Sequence, residues 1–323
     1  MTSLARVALA QLPTPIQALP RLTDLLGGPQ LTVKRDDQTG LAFGGNKTRK
    51  LETLCAAALA EGANLLITAG AIQSNHCRQT AAAAAHLGLG CILVLVGEET
   101  EPTGNLLLDG LFNAEIRWTS KEDRDATLQA VYEESKSRSR KPYLIPYGGS
   151  NPTGAAAYVW ALKEMLDQDV SPDWIVLATS SGGTQAGLLA GARMHGYLGR
   201  ILGISVDERS AELKPRIARL SEETARLMGM EIVLEADEIL VNDDYLGEGY
   251  AIFRKAEIEA IRLFAQNEGL LIDPVYTGRA AAGLIDLIRA GYFLKTDKVL
   301  FWHTGGTPAL FVDAYRSGLA STR

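Results

Sequence analysis

The chain has 323 residues and a formal net charge of −6, with 46% hydrophobic and 22% charged residues. These values are ordinary for a globular protein and predict about two domains. Lysine and arginine form no basic block, and no apolar run reaches the roughly 20 residues of a membrane helix. We therefore expect neither a nucleic-acid partner nor a membrane. The N-terminus shows no signal-peptide pattern, and three sparse cysteines fit reduced thiols in a cytoplasm.

Short apolar runs alternate with helical patterns along the chain, and continuous apolar runs are typical of buried parallel strands. Strands are predicted at 65–69, 91–96, 174–178, 201–206 and 299–303. Helices are predicted at 47–61, 77–87, 185–195, 211–228, 255–268 and 279–290. The alternation predicts an α/β fold with a mostly parallel sheet.

The first polar segment surrounds Lys47. Gly44 and Gly45 place this lysine at the start of a predicted helix, where its charge opposes the helix dipole. A desolvated lysine near other cations has a lowered pKa and a nucleophilic amine. Lys50 lies about one turn further on the same face, in position to hold a phosphate dianion. Taken alone, the segment also fits an amphipathic helix with exposed lysines.

Polar residues also follow two predicted strands, where open α/β sheets bind their ligands. Ser74 and Asn75 follow the strand at 65–69 and suit a substrate carboxylate and a ring oxygen. The Ser-Ser-Gly-Gly-Thr segment at 180–184 follows another strand and offers backbone N–H groups and hydroxyls to a phosphate. Both segments also fit ordinary helix N-caps. The second lacks the glycine patterns of nucleoside triphosphate or dinucleotide sites.

Weaker signals come from three residues near the C-terminus. Tyr276 fits either stacking on an aromatic cofactor or packing in the core. Thr277 and Thr304 fit either contacts with a ring nitrogen or helix caps. The histidines and the three cysteines have the spacing of neither a metal site nor a disulfide framework, so no metal is expected.

Six segments in this order resemble the fold-type II pyridoxal phosphate enzymes, the tryptophan synthase β-subunit group. They read KRDDQTGLAFGGNKTRKLE, TAGAIQSNHCRQTAAAAA, IPYGGSNPTGA, GGTQAGL, DPVYTGRAAAGLIDLI and FWHTGGTPALF. They are most similar to the branch that contains D-cysteine desulfhydrase, 1-aminocyclopropane-1-carboxylate deaminase and L-cysteate sulfo-lyase. The resemblance extends from about residue 13 to about residue 315.

The resemblance implies pyridoxal 5'-phosphate as cofactor, a small amino acid as substrate, and a homodimer. It also implies two domains, each with a mostly parallel sheet flanked by helices. The large, cofactor-binding domain is expected to comprise residues 1–47 and 153–323, and the small domain residues 48–152. The active site is expected in the cleft between them.

The resemblance also assigns expected roles to individual residues. Lys47 matches the lysine that forms a Schiff base with the cofactor, and Asn75 an asparagine beside its phenolic oxygen. The phosphate site is matched by Lys50, Ser180, Ser181, Gly182, Gly183 and Thr184. Tyr276 and Tyr250 match two active-site tyrosines, and Thr304 falls near the ring nitrogen. Ser74 matches a catalytic serine that either meets the substrate carboxylate or acts on the substrate. The substrate is also expected to contact Gln73, Asn75 and Thr277.

Two positions bear on the reaction. Cyclopropane deaminases usually have glutamate where this chain has Thr277, and tend to have leucine where it has Thr304. Opening a cyclopropane needs a protonated ring nitrogen, whereas expelling thiolate or sulfite needs weaker electron withdrawal. We therefore predict β-elimination of a small sulfur-containing amino acid, first of all D-cysteine, in which Lys47 or a tyrosine on the other face removes the α-proton.

Three alternatives to this reaction stay open at this point. The first is sulfite release from L-cysteate, and the second and weaker is cyclopropane deamination. The third is a binding protein without activity, against which the intact Lys47, Ser74 and Asn75 argue.

Overall fold

The computed structural model describes residues 4–247, 252 and 254–320. The strands are β1 (Ile16–Ala18), β2 (Gln30–Arg35), β3 (Leu65–Ala71), β4 (Gly90–Val96), β5 (Glu115–Thr119), β6 (Pro142–Leu144), β7 (Trp174–Thr179), β8 (Arg200–Ser205), β9 (Leu240–Asn242) and β10 (Lys298–His303). The helices are α1 (Pro20–Leu26), α2 (Asn46–Ala60), α3 (Asn75–Leu87), α4 (Gly104–Leu111), α5 (Arg124–Ser137), α6 (Pro152–Asp167), α7 (Gly183–His195), α8 (Ser210–Leu227), α9 (Lys255–Glu268), α10 (Thr277–Arg289) and α11 (Asp313–Ala320).

The strands form two sheets. The large sheet has the order β1-β2-β10-β7-β8-β9, and the small sheet the order β5-β4-β3-β6. Among the ten strands described, β1 pairs antiparallel with β2, and the other pairings are parallel. The predicted α/β fold with mostly parallel sheets is confirmed. The domain boundaries at 47/48 and 152/153 stay a prediction, and they fall in the first turns of α2 and α6.

All five strands and six helices predicted from the sequence are present, with shifted ends. The strand β2 was not predicted because its sequence, QLTVKR, places a lysine in a buried strand. Lys34 is fully buried there, and its Nζ atom donates to Glu164 at 2.6 Å. Helix α6 was not predicted because its apolar residues surround it on nearly every side, which removes the amphipathic period.

Helix α2 is anchored to the large sheet by a buried ion network. Arg49 in this helix contacts Asp36 at 2.8 Å and Glu164 at 2.9 Å. The Asp36 carboxylate also accepts hydrogen bonds from Tyr158 at 2.6 Å and from the Trp302 indole at 2.8 Å. These contacts fix the start of α2 against β10.

The glycines before α2 allow a close approach to the end of β10. The Asn46 N–H donates to the Thr304 carbonyl at 3.0 Å. A Cβ atom at Gly45 would lie 3.1 Å from the same carbonyl, and its φ of +126° disfavours any other residue. Lys47 therefore lies at the carboxyl end of the large sheet, where parallel α/β sheets bind their ligands.

Candidate active site

A cavity lies at the carboxyl ends of both sheets. Residues after β3, β6, β7 and β10 meet there with the start of α2 and with the segment before α10. The lining residues are Asn46, Lys47, Ala69, Ser74, Asn75, His76, Tyr147, Gly148, Ala178, Thr179, Ser180, Ser181, Gly182, Thr184, Tyr276, Thr304 and Gly305.

Nine of the residues singled out in the sequence line this cavity together. They are Lys47, Ser74, Asn75, Ser180, Ser181, Gly182, Thr184, Tyr276 and Thr304. Four others lie outside the lining, namely Lys50, Gln73, Gly183 and Thr277. Tyr250 lies outside the described residues.

The Lys47 ammonium opens onto the cavity and donates to the Gly148 carbonyl at 3.1 Å. Desolvation by the surrounding protein lowers the pKa of Lys47 to about 8, although the Asp207 charge opposes this shift. The described residues include no carboxylate within 4 Å of its Nζ atom. A lysine of this kind is partly neutral near pH 8 and is therefore nucleophilic.

Lys50 lies behind the cavity wall. Its Nζ atom donates to the Gly148 carbonyl and to the Ser150 hydroxyl, each at 3.2 Å. The Ser150 hydroxyl lies 2.7 Å from that of Ser181, which links Lys50 to the cavity. Burial, together with the charge of Lys47, lowers the pKa of Lys50 well below its usual value. The two cations share one carbonyl and no carboxylate, an arrangement that favours a bound anion.

The segment from Ser180 to Thr184 forms the opposite wall. Gly182 has a φ of +84°, and α7 begins at Gly183 directly after it, so the first N–H groups of the helix have no partner inside the helix. A Cβ atom at Gly183 would lie 2.5 Å from the Ser150 hydroxyl and 2.9 Å from the Lys50 Nζ atom. The absence of a side chain keeps this loop close to the cation. The loop therefore suits a phosphate.

Asp207 follows β8 and lies beside this loop. One of its oxygens accepts from the Ser180 hydroxyl at 2.9 Å, while the other is buried without a partner in the described chain. Burial raises the pKa of Asp207, and the Ser180 hydrogen bond opposes that shift. The carboxylate acts on Lys47 through its charge.

Ser74 combines both of the roles considered for it, whereas Asn75 lines the cavity as the first residue of α3. The Ser74 hydroxyl accepts from the Cys77 N–H at 3.2 Å as the N-cap of α3, yet Ser74 also lines the cavity. Gln73 is used elsewhere, since its amide donates to the Thr103 carbonyl and accepts from the Asn105 N–H. This geometry does not support the predicted contact between Gln73 and the substrate.

Thr277 also differs from its expected position. It is fully buried, and its hydroxyl donates to the Asp273 carboxylate at 2.6 Å and accepts from the Asp273 N–H at 2.8 Å. The same carboxylate accepts from the Tyr276 N–H at 2.9 Å. Thr277 therefore shapes the turn that carries Tyr276, and this arrangement gives a direct substrate contact no support.

The sequence analysis missed several residues of the site. Tyr147 and Gly148 follow β6, whose short sequence was not recognised as a strand, so the strand-end rule was not applied to them. His76 follows the recognised pair at 74–75. Its Nε2 atom lies 2.9 Å from the Thr68 hydroxyl. Burial, followed by the charges of the two lysines, lowers the pKa of His76 well below its usual value, so the ring is neutral.

The geometry agrees with the comparison to known proteins. A family model described as pyridoxal-phosphate dependent enzyme matches residues 7–305. The chain belongs to this family. It is therefore an enzyme that uses pyridoxal phosphate, as the sequence motifs predicted, and the paired lysines and glycine loop fit the cofactor's phosphate.

Several curated and solved proteins are similar over nearly the whole length. The D-cysteine desulfhydrases of Salmonella choleraesuis (strain SC-B67) and Salmonella typhi are each 44% identical over 321 residues, or 96% of this chain and 97% of theirs. The crystal structure of a protein described as an ACC deaminase homologue has a TM-score of 0.91 and 40% identity, and it covers 99% of this chain and 96% of that chain. A pyridoxal 5'-phosphate-dependent aspartate racemase, at 18% identity and a TM-score of 0.67, shares the fold.

Two further observations concern other kinds of site. In the part of the chain that the structure describes, no three His, Cys, Asp or Glu side chains are placed to hold a metal ion. No helix within the same residues has the length and apolar character needed to cross a membrane.

Proposed function

We propose that this enzyme converts D-cysteine and water to pyruvate, ammonia and hydrogen sulfide by β-elimination. The observation that supports this most directly is the 44% identity, over 96% of the chain, to proteins named D-cysteine desulfhydrase. The match covers 96% of the chain, so it spans every segment of the cavity. Thr304, which lines the cavity, is a second support, because a hydroxyl there suits a reaction with a good leaving group.

In this proposal Lys47 holds the cofactor and then moves the proton. The bound cofactor supplies an electron sink for the α-carbon of the substrate. The Nζ atom of Lys47, with its pKa lowered to about 8, accepts the α-proton near neutral pH. A tyrosine on the other face, such as Tyr276, is the alternative base. Expulsion of the β-thiolate completes the elimination.

The remaining residues bind and orient. The Ser180–Thr184 loop and the first N–H groups of α7 hold the phosphate, with Lys50 supplying charge from behind the loop. The Ser74 hydroxyl and the start of α3 hold the substrate carboxylate at the end of β3. Asn75 would donate to the phenolic oxygen of the bound cofactor.

Cyclopropane deamination is the second candidate, because the solved ACC deaminase homologue is 40% identical over nearly the whole chain. The test is a side-by-side assay of D-cysteine, L-cysteine, L-cysteate and 1-aminocyclopropane-1-carboxylate. We expect pyruvate and sulfide from D-cysteine at the highest kcat/KM. Sulfite from L-cysteate, or 2-oxobutanoate from the cyclopropane, at a higher kcat/KM would overturn the proposed substrate.

The proposed role of Lys47 is tested by Lys47→Ala. We expect loss of the violet absorption of the lysine-bound cofactor and a fall in kcat of at least about 1,000-fold, because both attachment and proton transfer depend on this amine. Lys163→Ala, which removes an exposed helical lysine, is the matched control and should keep both properties. Normal turnover by Lys47→Ala would contradict the scheme.

We also propose that the enzyme is a cytoplasmic homodimer. Its three cysteines, Cys55, Cys77 and Cys91, are free and buried, which suits a reducing compartment. Light scattering of the purified holoenzyme should give twice the mass of one chain, and a single-chain mass at micromolar concentration would contradict the dimer.

A further inference from the structure

Asn105 lies in the first turn of α4, next to the active-site residues but outside the cavity lining. Its side chain is fully buried, and the sequence analysis gave it no role. A buried amide must find partners for both its oxygen and its nitrogen, because each unpaired group costs about 1–3 kcal/mol. The partners of its oxygen and nitrogen therefore determine the orientation of the Asn105 amide.

The orientation of the Asn105 amide is determined by two independent contacts. Its Oδ1 atom accepts from the Arg78 guanidinium at 3.1 Å, and its Nδ2 atom donates to the Gln73 carbonyl at 2.8 Å. A guanidinium can only donate and a backbone carbonyl can only accept. Exchanging the oxygen and nitrogen of Asn105 would break both bonds, so the amide has only one satisfactory orientation.

This orientation determines that of Asn75 in turn. The same Nδ2 atom of Asn105 lies 2.9 Å from the side-chain amide of Asn75. Since Asn105 is the donor, the Asn75 atom that meets it is the oxygen, Oδ1. The Nδ2 group of Asn75 makes no hydrogen bond to the described residues, and Asn75 lines the cavity. The amide therefore offers its donor, rather than its acceptor, to a ligand.

Arg78 connects this pair to the lysine segment. Its guanidinium is buried and also donates to the Gly44 carbonyl at 3.0 Å, just before α2. Burial lowers the pKa of Arg78 to about 10, which still leaves it protonated near neutral pH. Arg78 thus contacts both the Asn105 amide, which orients Asn75, and the loop that precedes Lys47.

We propose that Asn105 is a positioning residue that makes Asn75 a hydrogen-bond donor to the phenolic oxygen of the cofactor. The inference rests on the proposed contact between Asn75 and that oxygen. An ionised phenolic oxygen needs a donor, and a hydrogen bond to a charged acceptor is stronger than a neutral one. An amide oxygen in the same place would repel it. Asn105 determines whether the N–H group or the oxygen of Asn75 faces the cavity, and it does so without contacting the cofactor.

The test is Asn105→Asp, which keeps the shape and the acceptor for Arg78 but has no N–H group. The amide of Asn75 then satisfies the new carboxylate only by turning its Nδ2 group away from the cavity. We expect the cofactor absorption to move from the violet to shorter wavelength, because the phenolic oxygen regains its proton. The cofactor dissociation constant should rise about tenfold. Asn113→Asp, exposed beyond the end of the same helix, adds the same charge and should change neither.

Two further variants distinguish an error in the proposed contact of Asn75 from an error in the role of Asn105. Asn75→Ala should shift the absorption in the same direction; if it does not, the proposed contact of Asn75 is wrong and the inference falls with it. If Asn75→Ala shifts the absorption and Asn105→Asp does not, only the role of Asn105 is wrong. If Asn105→Asp does not fold, Asn105→Ala takes its place as the test. We expect an intermediate shift in the absorption of Asn105→Ala, and an unchanged spectrum would overturn the inference.

Discussion

At the scale of single residues, desolvation sets the chemistry of this site. Lys47 and Lys50 lie one helical turn apart, share the Gly148 carbonyl, and have no carboxylate within 4 Å in the described chain. Each therefore holds its proton more weakly than an exposed lysine. The same burial keeps His76 neutral beside them. A site built in this way favours an anionic ligand and a nucleophilic amine at the same time.

The lowered pKa of Lys47 predicts how fast the cofactor attaches. Only the neutral amine attacks, so the rate at which violet absorption develops in apoenzyme should rise about tenfold per pH unit and level off above about pH 8. In Asp207→Asn the plateau should begin at lower pH, because the Asp207 charge raises the pKa of Lys47. Asp237→Asn, which removes an exposed carboxylate, is the control. A rate that still rises at pH 10 would exclude the lowered pKa.

Thr277 should affect stability through the two hydrogen bonds that its hydroxyl makes with Asp273. Thr277→Val keeps the size but removes both bonds, and should lower the free energy of unfolding by about 1–3 kcal/mol. Thr277→Ser keeps both bonds and should cost less, about 1 kcal/mol for the lost methyl group. Urea unfolding of the apoenzyme measures both. Equal stability of the two variants would show that the Asp273 contacts contribute little.

At the scale of elements, α2 needs a fixed position because both lysines project from it. The network of Arg49, Asp36 and Glu164 joins this helix to β2 and α6. Although burial opposes ionisation of Asp36, the Arg49 charge holds the pKa of that carboxyl below its usual value. The carboxylate thus stays charged in the core, and its partners must stay in place.

Removal of Arg49 should therefore be costly. Arg49→Leu leaves the buried Asp36 charge without its cation, and we expect a loss of about 3–5 kcal/mol in the free energy of unfolding. Arg138→Leu breaks an exposed ion pair with Glu134 at the C-terminal end of α5 and should cost less than about 1 kcal/mol. Chemical denaturation measures the free energy of unfolding of both variants. A similarly small decrease in each would argue against an anchoring role for the network.

At the scale of the whole molecule, the cavity is formed by residues from both sheets. Ala69, Ser74 and Asn75 follow or end a strand of the small sheet, while the segment from Ser180 to Thr184 follows a strand of the large one. A cofactor in this cavity contacts both parts of the chain. Binding is therefore linked to the folding of both sheets and not to that of one alone.

This linkage predicts a stabilisation that depends on cofactor concentration. At a free concentration 100 times the dissociation constant, the free energy of unfolding should increase by about 2.7 kcal/mol. Thermal unfolding at a series of cofactor concentrations measures the shift, and Lys47→Ala should reduce it because attachment is lost. A midpoint that does not move with cofactor concentration would contradict binding between the two sheets.

Much of the fold and of the site follows from local sequence. Apolar runs predicted five strands, and the residues after three of them, at Ser74, Ser180 and Thr304, line the cavity. The reason is geometric: parallel strands end at one edge of a sheet, and polar side chains placed there share one space. The sequence also indicated Lys47, because a positive charge at a helix start opposes the helix dipole and is unfavourable there.

Tertiary structure decided what each side chain does with its hydrogen bonds. Gln73 has the residue type of a binding site, yet its amide is occupied by the 103–105 segment, about 30 residues further along the chain. The Thr277 hydroxyl is occupied by a nearer residue, Asp273, in the turn before α10. Asn105 shows the converse, since its influence on Asn75 depends on Arg78 in another helix. The sequence alone determined the family and the cofactor, and it predicts Lys47 as the reactive lysine. Only folding determined which donors remain for the ligand, because the partners that orient Asn75 and occupy Gln73 lie in a different helix and its preceding residue.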